Sequence, residues 1–293
     1  MKLTARAVMI ATFALLASPA AGQQQPQQPD ETASEIVVTG ARVREEQVRE
    51  FVSILTPPRG STIPRFIDQV CPVTVGVAPA QKEAVNARLR HVAAAIGLRV
   101  AGRNCLPNAF VIVVGDKRAF IELLARERRH SFGSMSGAEI GRLARSPGPA
   151  AAWQLSGPVD ADGVPLPSAG EVYVNRTTLP SSRLRSASPQ AFDASALVVE
   201  SAALVGLTTT QVADYAAMRL FAKLDPARLP AASPPTILTA LEAPMGSAVP
   251  ITLTDWDVGL LRGLYASSTD LDANGQQSQI VRRVTRHLDR PDR

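Results

Sequence analysis

Apolar residues along the chain recur with two different periods. Between Pro79 and Gly97 they recur every three or four positions, which is typical of a helix, and Pro and Gly suit its two ends. The segment 108–115 is a continuous, β-branched apolar run, typical of a buried strand. Similar patterns predict helices over 43–55, 116–128, 136–147, 208–224, 254–265 and 276–293, and short strands over 151–155 and 171–177.

The segment 193–207 is predicted as a helix, although Leu197–Val199 alone could form a strand. Together, the elements predict an α+β fold over residues 43–268, with a small mixed sheet flanked by helices. An Arg-rich C-terminal helix and tail, residues 269–293, follow this single domain.

The N-terminal region predicts export. Residues 1–22 combine a basic start, an apolar run too short to span a bilayer, and small residues before Gly22, which is the pattern of a signal peptide. Residues 23–42 form a Gln- and Pro-rich tail that is predicted to be disordered. No later segment is apolar enough to cross a membrane, so the mature chain is expected in the periplasm or secreted.

Within this tail, residues 35–40 form a short β-branched run that ends in Gly. The run resembles the TonB box of outer-membrane receptors, which adds as a strand to the sheet edge of its partner. This resemblance implies that the Ile36–Gly40 segment engages an outer-membrane energy-coupling system. The alternative is an ordinary edge strand or a tethered tail.

The composition excludes one class of partner and predicts one cross-link. Without the signal peptide, 29 basic and 26 acidic residues remain and aromatic residues are 4% of the chain, so a base-stacking nucleic-acid surface is not supported. Cys71 and Cys105 are the two cysteines, and in an exported chain they are predicted to form a disulfide. This bridge would stabilise the fold by about 3–4 kcal/mol; two buried thiols are the alternative.

The segment 197–207 has the spacing of a metalloprotease active-site helix, H-E-x-x-H-x-x-G. Glu200 and Gly206 occupy matching positions, but Val199 and Ala203 stand where the two His ligands belong, and Thr209 stands at the third ligand. Since Val and Ala cannot coordinate Zn²⁺, no zinc site and no cofactor are expected.

Two further segments extend this pattern: a turn at 236–238 and a helix over 253–265 that ends in Leu-Tyr. Residues 197–265 therefore resemble the zincin metalloproteases, and the resemblance implies a zincin-like but degenerate fold. The chain is also similar to a family of uncharacterised secreted proteins of Gram-negative bacteria, through residues 64–72, 104–108 and 213–219. That resemblance implies a secreted single domain and no known activity.

Asp270, Asp272, Asn274 and Gly275 have the spacing of the first half of a calcium-binding loop. The bidentate Glu expected at the twelfth position is Val281, so a polar linker is the alternative interpretation. The His residues, at positions 91, 130 and 287, show no metal-ligand spacing. The sequence contains no Gly-x-Ser-x-Gly elbow and no Gly-rich phosphate loop.

Three functional hypotheses follow. The leading one is an exported, non-catalytic binding or scaffold module that contacts an envelope protein or a cell-wall component. The second is a zinc-free hydrolase that uses Glu200 or Asp214 as its acid or base. The third is a component whose Ile36–Gly40 tail engages an energy-coupling partner.

Overall fold

In the part of the chain that the structure describes, seven helices form where the sequence supplies apolar faces and caps. The computed structural model describes residues 44–56, 61–160, 162–169, 172–175, 188–244 and 247–290; the predicted signal peptide, tail and Ile36–Gly40 segment lie outside these ranges. The helices are α1 (44–55), α2 (Pro79–Ala95), α3 (Lys117–Glu127), α4 (Gly137–Ala144), α5 (Thr209–Phe221), α6 (Asp255–Tyr265) and α7 (Ala273–Leu288).

Capping boxes set the start of α4, α5 and α6. Ser136, Thr208 and Thr254 each accept a hydrogen bond from the backbone N–H three residues further on, and the side chain of that later residue bonds back to the cap. Each box satisfies amide groups that a helix N-terminus would otherwise leave unpaired. The predicted positions of these three helices are confirmed.

The strands of the described residues form a four-stranded mixed sheet and a separate short hairpin. The strands are β1 (Pro72–Val75), β2 (Ala109–Val114), β3 (Ala150–Pro158), β4 (Ser168–Ala169), β5 (Val172–Tyr173) and β6 (Gln190–Glu200). The sheet order is β1–β2–β6–β3, and β4 pairs with β5. β1, β2 and β6 are parallel, whereas β3 is antiparallel to β6. This arrangement confirms the predicted α+β class.

The helix predicted over 193–207 is wrong. Residues 190–200 are β6, and only a short 3₁₀ turn, Ser201–Leu204, follows. β6 pairs with β2 on one side and β3 on the other, and its apolar residues are buried on both faces of the sheet by separate hydrophobic layers. A strand of this kind has a continuous apolar run that periodicity alone cannot distinguish from a buried helix.

The sheet lies between two hydrophobic layers. Leu197 and Val199 of β6 face a large layer with apolar residues from α1, α2, α5, α6 and α7. Ala196 and Val198 face a smaller layer formed with α3 and α4. This alternation is the two-residue period of a strand, and it places β6 at the centre of the core.

The turn at 236–238 is fixed beneath α6 by the buried carboxylate of Asp257. Its Oδ1 accepts a hydrogen bond from Thr236 Oγ1 at 2.5 Å, and its Oδ2 accepts one from the Ile237 amide at 2.9 Å. Burial raises the pKa of Asp257. The hydrogen bonds favour its charged form and so oppose part of that rise. The two segments of the zincin pattern downstream of β6 are therefore in contact.

A disulfide joins Cys71 to Cys105 across a Cα–Cα distance of 6.0 Å, as predicted from the cysteine pair. It ties the residue before β1 to the loop that leads into β2. Within the described ranges, no helix combines the length and the apolar character needed to cross a bilayer.

Candidate functional site

The positions that match zincin ligands do not come together. Val199 belongs to β6 and is 1% exposed, whereas Ala203 lies in the turn beyond the strand. In the resemblance these two residues would stand one helical turn apart on the same face. Since the chain is extended at Val199, that shared face does not form.

The Glu200 carboxylate caps a helix. Its Oε1 accepts a hydrogen bond from the Lys117 amide at 3.1 Å, at the N-terminus of α3, where the exposed amides and the helix dipole favour an anion. Lys117 is itself 4% exposed, and its Nζ donates to the Ser146 and Gly148 carbonyls at 2.6 Å each. Burial lowers the pKa of Lys117, and the nearby Glu200 and Glu242 carboxylates oppose that effect.

Asp214, the other predicted acid or base, is fully buried in a hydrogen-bond network. Arg88 donates to both of its oxygens, from Nε at 2.7 Å and from Nη2 at 2.9 Å. Thr252 Oγ1 and the Leu253 amide also donate to Oδ2. The bond to Asp214 raises the pKa of Arg88. The carboxylate therefore joins α2, α5 and the segment before α6, and it presents no surface to a substrate.

The half-motif for calcium forms a helix start in place of a loop. Asp272 caps α7 by accepting a hydrogen bond from the Gly275 amide, Asn274 lies in the first turn, and Ser268 Oγ donates to Asp270 Oδ1. Because α7 begins at Ala273, the later loop positions are helical and cannot wrap around a cation. Nowhere in the described ranges do three or more His, Cys, Asp or Glu residues form a group that could hold a metal.

A groove of about 670 Å³ runs along the outer edge of β3, and we call it the edge groove. Five consecutive residues of the strand, 150–154, form its floor. α4 borders one side, and the end of α5 with the following residues 223–229 borders the other. Its walls also include the end of α1, residues 63–64, Met135 and Glu242.

Backbone groups of β3 point into the edge groove. The Glu200 amide donates to the Pro149 carbonyl, so by the alternation of antiparallel pairing residues 151 and 153 also bond to β6. The amides and carbonyls of Ala150, Ala152 and Gln154 therefore point away from the sheet. In the described part of the chain no other strand pairs with this edge.

Residues 150–154 of this edge contain no charged side chain, no Pro and no bulge of their own. Edge strands are normally shielded by charged side chains, Pro residues or bulges, but residues 150–154 read Ala-Ala-Ala-Trp-Gln. The first irregularity is the register shift between Leu155 and Ser156. Ala is a poor strand former, and its small side chain adds little bulk beside the outward amides and carbonyls of this edge.

Arg219 is a buried charged residue among those that line the edge groove. It is 8% exposed, and its Nη1 donates to the Tyr215 hydroxyl at 2.8 Å. Its backbone carbonyl accepts a hydrogen bond from Gln154 Nε2 at 2.9 Å, which ties α5 to β3. Burial raises the pKa of Tyr215, and the Arg219 cation acts in the opposite direction.

The Gly148 turn shapes the wall near Arg219. Gly148 has φ +75°, in the left-handed region, and a Cβ there would collide with the Glu242 carboxylate. The left-handed backbone favours glycine, and a Cβ would have to displace the flexible Glu242 side chain, whose carboxylate lies near the buried Lys117.

Comparison with known proteins gives this site no precedent, since no family model, no curated protein and no solved structure matches the chain.

The edge groove was not predicted from the sequence. It is assembled from β3, α4, α5 and two loops, whose proximity depends on long-range pairing. One signal for Arg219 was present in the sequence, because the mostly apolar run 213–221 surrounds two charged residues, Asp214 and Arg219. In the structure all residues of this run are buried. A helix that is apolar all round is a core helix, so each charge within it needs a partner. Asp214 has Arg88, but Arg219 has no carboxylate partner in the described residues.

The double variant Val199→His with Ala203→His is expected to gain no zinc affinity. The strand directs residue 199 into the core while residue 203 lies beyond its end, so two imidazoles there cannot share a tetrahedral ion. A buried His should also lower the free energy of unfolding. Zinc titration of the parent and the variant measures this directly, and about one bound zinc per folded variant chain would contradict the strand assignment.

Proposed function

We propose that the protein is an exported, non-catalytic binding module of the cell envelope that binds an extended polypeptide segment along β3. The observation that carries the proposal is the edge of residues 150–154 at the floor of the edge groove, with which no strand in the described part of the chain pairs. Strand addition at a sheet edge derives its affinity from main-chain hydrogen bonds and its specificity from pockets for alternate side chains. Export is supported by the signal-peptide pattern together with the disulfide.

The dimensions of the edge groove suit this mode of binding. Five antiparallel residues extend over about 17 Å at about 3.4 Å per residue. Ala150, Ala152 and Gln154 offer an outward amide and carbonyl each, so a bound strand can form several main-chain hydrogen bonds. α4 and the segment 223–229 stand on either side of this edge, where they would contact the side chains of the ligand.

A hydrolase is less well supported, because Glu200 caps α3 and Asp214 is enclosed by four hydrogen bonds. The partnership of the Ile36–Gly40 tail with an energy-coupling system stays a prediction, since that segment lies outside the described residues.

A displayed library of random octapeptides, selected on the purified protein, tests the proposal. We expect enrichment of β-branched, alternating sequences, because these favour the extended conformation of an added strand. Ala152→Pro should weaken the selected peptides about tenfold or more, since it removes an outward amide and adds a ring at the edge. Ala152→Ser keeps the amide and should bind like the parent.

Thermal unfolding of both variants provides the necessary control. The amide of Ala152 makes no bond to β6, so Pro at this position should leave the sheet intact. Failure to enrich any peptide on the parent protein would contradict the proposal. Equal binding of selected peptides by a folded Ala152→Pro variant would contradict it as well.

A further inference from the structure

Helix α7 exposes an arginine-rich face. The helix contains three Arg and no Asp or Glu, and Arg290 follows two residues beyond its last residue, Leu288. Arg282, Arg283, Arg286 and Arg290 are all exposed, and we call these four residues the α7 arginine cluster. Among the described residues, no acidic side chain forms an ion pair with any of them.

The helices that pack on α7 contact its opposite side. Gly263 of α6 lies against Ile280, since a Cβ at this glycine would be 3.2 Å from Ile280 Cγ2. Gln277 Nε2 donates to a backbone carbonyl just after α1, at 3.0 Å. At 3.6 residues per turn, Arg282 and Arg286 lie about 6 Å apart along the axis, on the side that faces away from both contacts. The cluster therefore presents its charges to solvent.

Arg262 of α6 extends this basic face. It is exposed, and its Nε donates to the Ala95 carbonyl at 3.0 Å. Burial lowers the pKa of His287, which packs between α6 and α7, and the nearby Arg262 cation lowers it further. The Asp255 carboxylate raises this pKa, whereas the Arg290 cation lowers it. Arginines from two helices therefore converge around His287, with Asp255 as the acidic residue beside them.

The exposed Arg residues of α3 and α4 are in a different setting, because acidic residues lie between them. In α3, Arg118 pairs with Glu122 at 2.9 Å. In α4, Glu139 lies three residues before Arg142. Interspersed charges of both signs produce little net field, whereas a cluster of one sign attracts counter-ions. Since α7 itself contains no acidic residue, its cluster is of the second kind.

The chemistry of the cluster suits phosphate groups at a surface. A guanidinium is planar and presents parallel donors that match two phosphate oxygens. The cluster contains no aromatic side chain on which a base could stack. Ile280 and Val284, on the apolar side of α7, are buried in the core, so α7 cannot insert into a bilayer as an interfacial amphipathic helix does. Contact with an anionic lipid surface would therefore depend on charge alone.

We propose that the α7 arginine cluster, together with Arg262, docks the protein on the anionic lipid surface of a membrane by binding the phosphate groups of its lipids. The signal-peptide pattern supports this partner, because an exported chain meets the lipids of the envelope rather than nucleic acid. The residues that line the edge groove include none from α6 or α7. The proposal is therefore independent of strand addition at β3.

Co-sedimentation with lipid vesicles tests the proposal. The mature protein is mixed with vesicles of phosphatidylcholine that do or do not contain phosphatidylglycerol, which makes the surface anionic. We expect binding to the anionic vesicles alone. Raising the salt from about 0.1 M to about 1 M should abolish this binding, because the Debye length falls from about 10 Å to about 3 Å.

Arg282→Gln, Arg283→Gln and Arg286→Gln together should weaken binding to the anionic vesicles about a hundredfold. Each basic residue near an anionic surface strengthens binding about fivefold, and the three effects multiply. Because these side chains are exposed and Gln forms helices nearly as well as Arg, the variant should keep the fold of the parent. Circular dichroism checks this directly.

The matched control is the triple variant Arg126→Gln, Arg128→Gln and Arg142→Gln. These three Arg are exposed and belong to α3, its end and α4, which pack on the other face of the sheet from α7. The control loses the same charge as the cluster variant, but it should bind the anionic vesicles within about threefold of the parent. The chain before α1 is the same in every protein compared, so it cannot cause a difference between them.

Each outcome decides for or against the cluster. Equal weakening by the two triple variants would assign the binding to net charge and overturn the proposal. Failure of the parent to bind the anionic vesicles, or binding that survives high salt, would overturn it as well. The same proteins are titrated with a DNA duplex, and tighter binding of the duplex than of the anionic vesicles would contradict the lipid assignment.

Discussion

Val199→Asp is expected to unfold the protein at room temperature. Val199 is 1% exposed at the centre of the sheet, where it pairs with Val113 of β2 and Ala150 of β3. A carboxyl group at this position would have no partner, and burying it costs several kcal/mol whether it is charged or protonated. That cost is comparable to the whole free energy of unfolding of a typical domain, which is about 5–15 kcal/mol.

The matched control is Val205→Asp, just beyond the strand. Val205 is 67% exposed, so a charge there remains in water and should change the free energy of unfolding by less than about 0.5 kcal/mol. Circular dichroism during urea unfolding measures both variants. A stable Val199→Asp protein, or a Val205→Asp protein that unfolds, would be inconsistent with the placement of residues 190–205.

Asp214→Ala is expected to lower the free energy of unfolding by about 3–5 kcal/mol. The change removes the buried carboxylate that holds Arg88, Thr252 and the Leu253 amide. Breaking a buried pair from one side leaves the other charge uncompensated, which is the costly case. The double variant with Arg88→Met should recover part of the loss, because no unpaired cation then remains.

The exposed pair of α3 is the control for this prediction. Arg118 and Glu122 are one turn apart and largely solvated, so Glu122→Ala should have little effect on unfolding. If Asp214→Ala has the same free energy of unfolding as Glu122→Ala, the hydrogen-bond network around Asp214 does not stabilise the fold, and the prediction is wrong.

Local signals were sufficient to predict most helices. The helices predicted to start at 136, 208 and 254 begin there with capping boxes, and the apolar run at 108–115 is β2 within one residue at each end. These features depend on contacts within a few residues of one another, so the sequence pattern contains them fully.

The error at 193–207 has a different origin. The segment contains several Ala residues, which favour a helix, but pairing with β2 and β3 overrides that preference and forms β6. β3 lies some forty residues earlier in the chain, and the periodicity of 193–207 holds no information about it. The same long-range pairing leaves β3 at the edge of the sheet in the described residues, so the edge groove could not be predicted without the topology.

Amide hydrogen exchange of β3 tests the central proposal most directly. The exchange rates of Ala150, Ala152 and Gln154 are measured by NMR with and without a saturating selected octapeptide. An added strand should slow exchange at these outward amides, while Ala151 and Trp153, already bonded to β6, should change little. Unchanged rates at the outward amides while the peptide is bound would contradict strand addition at β3.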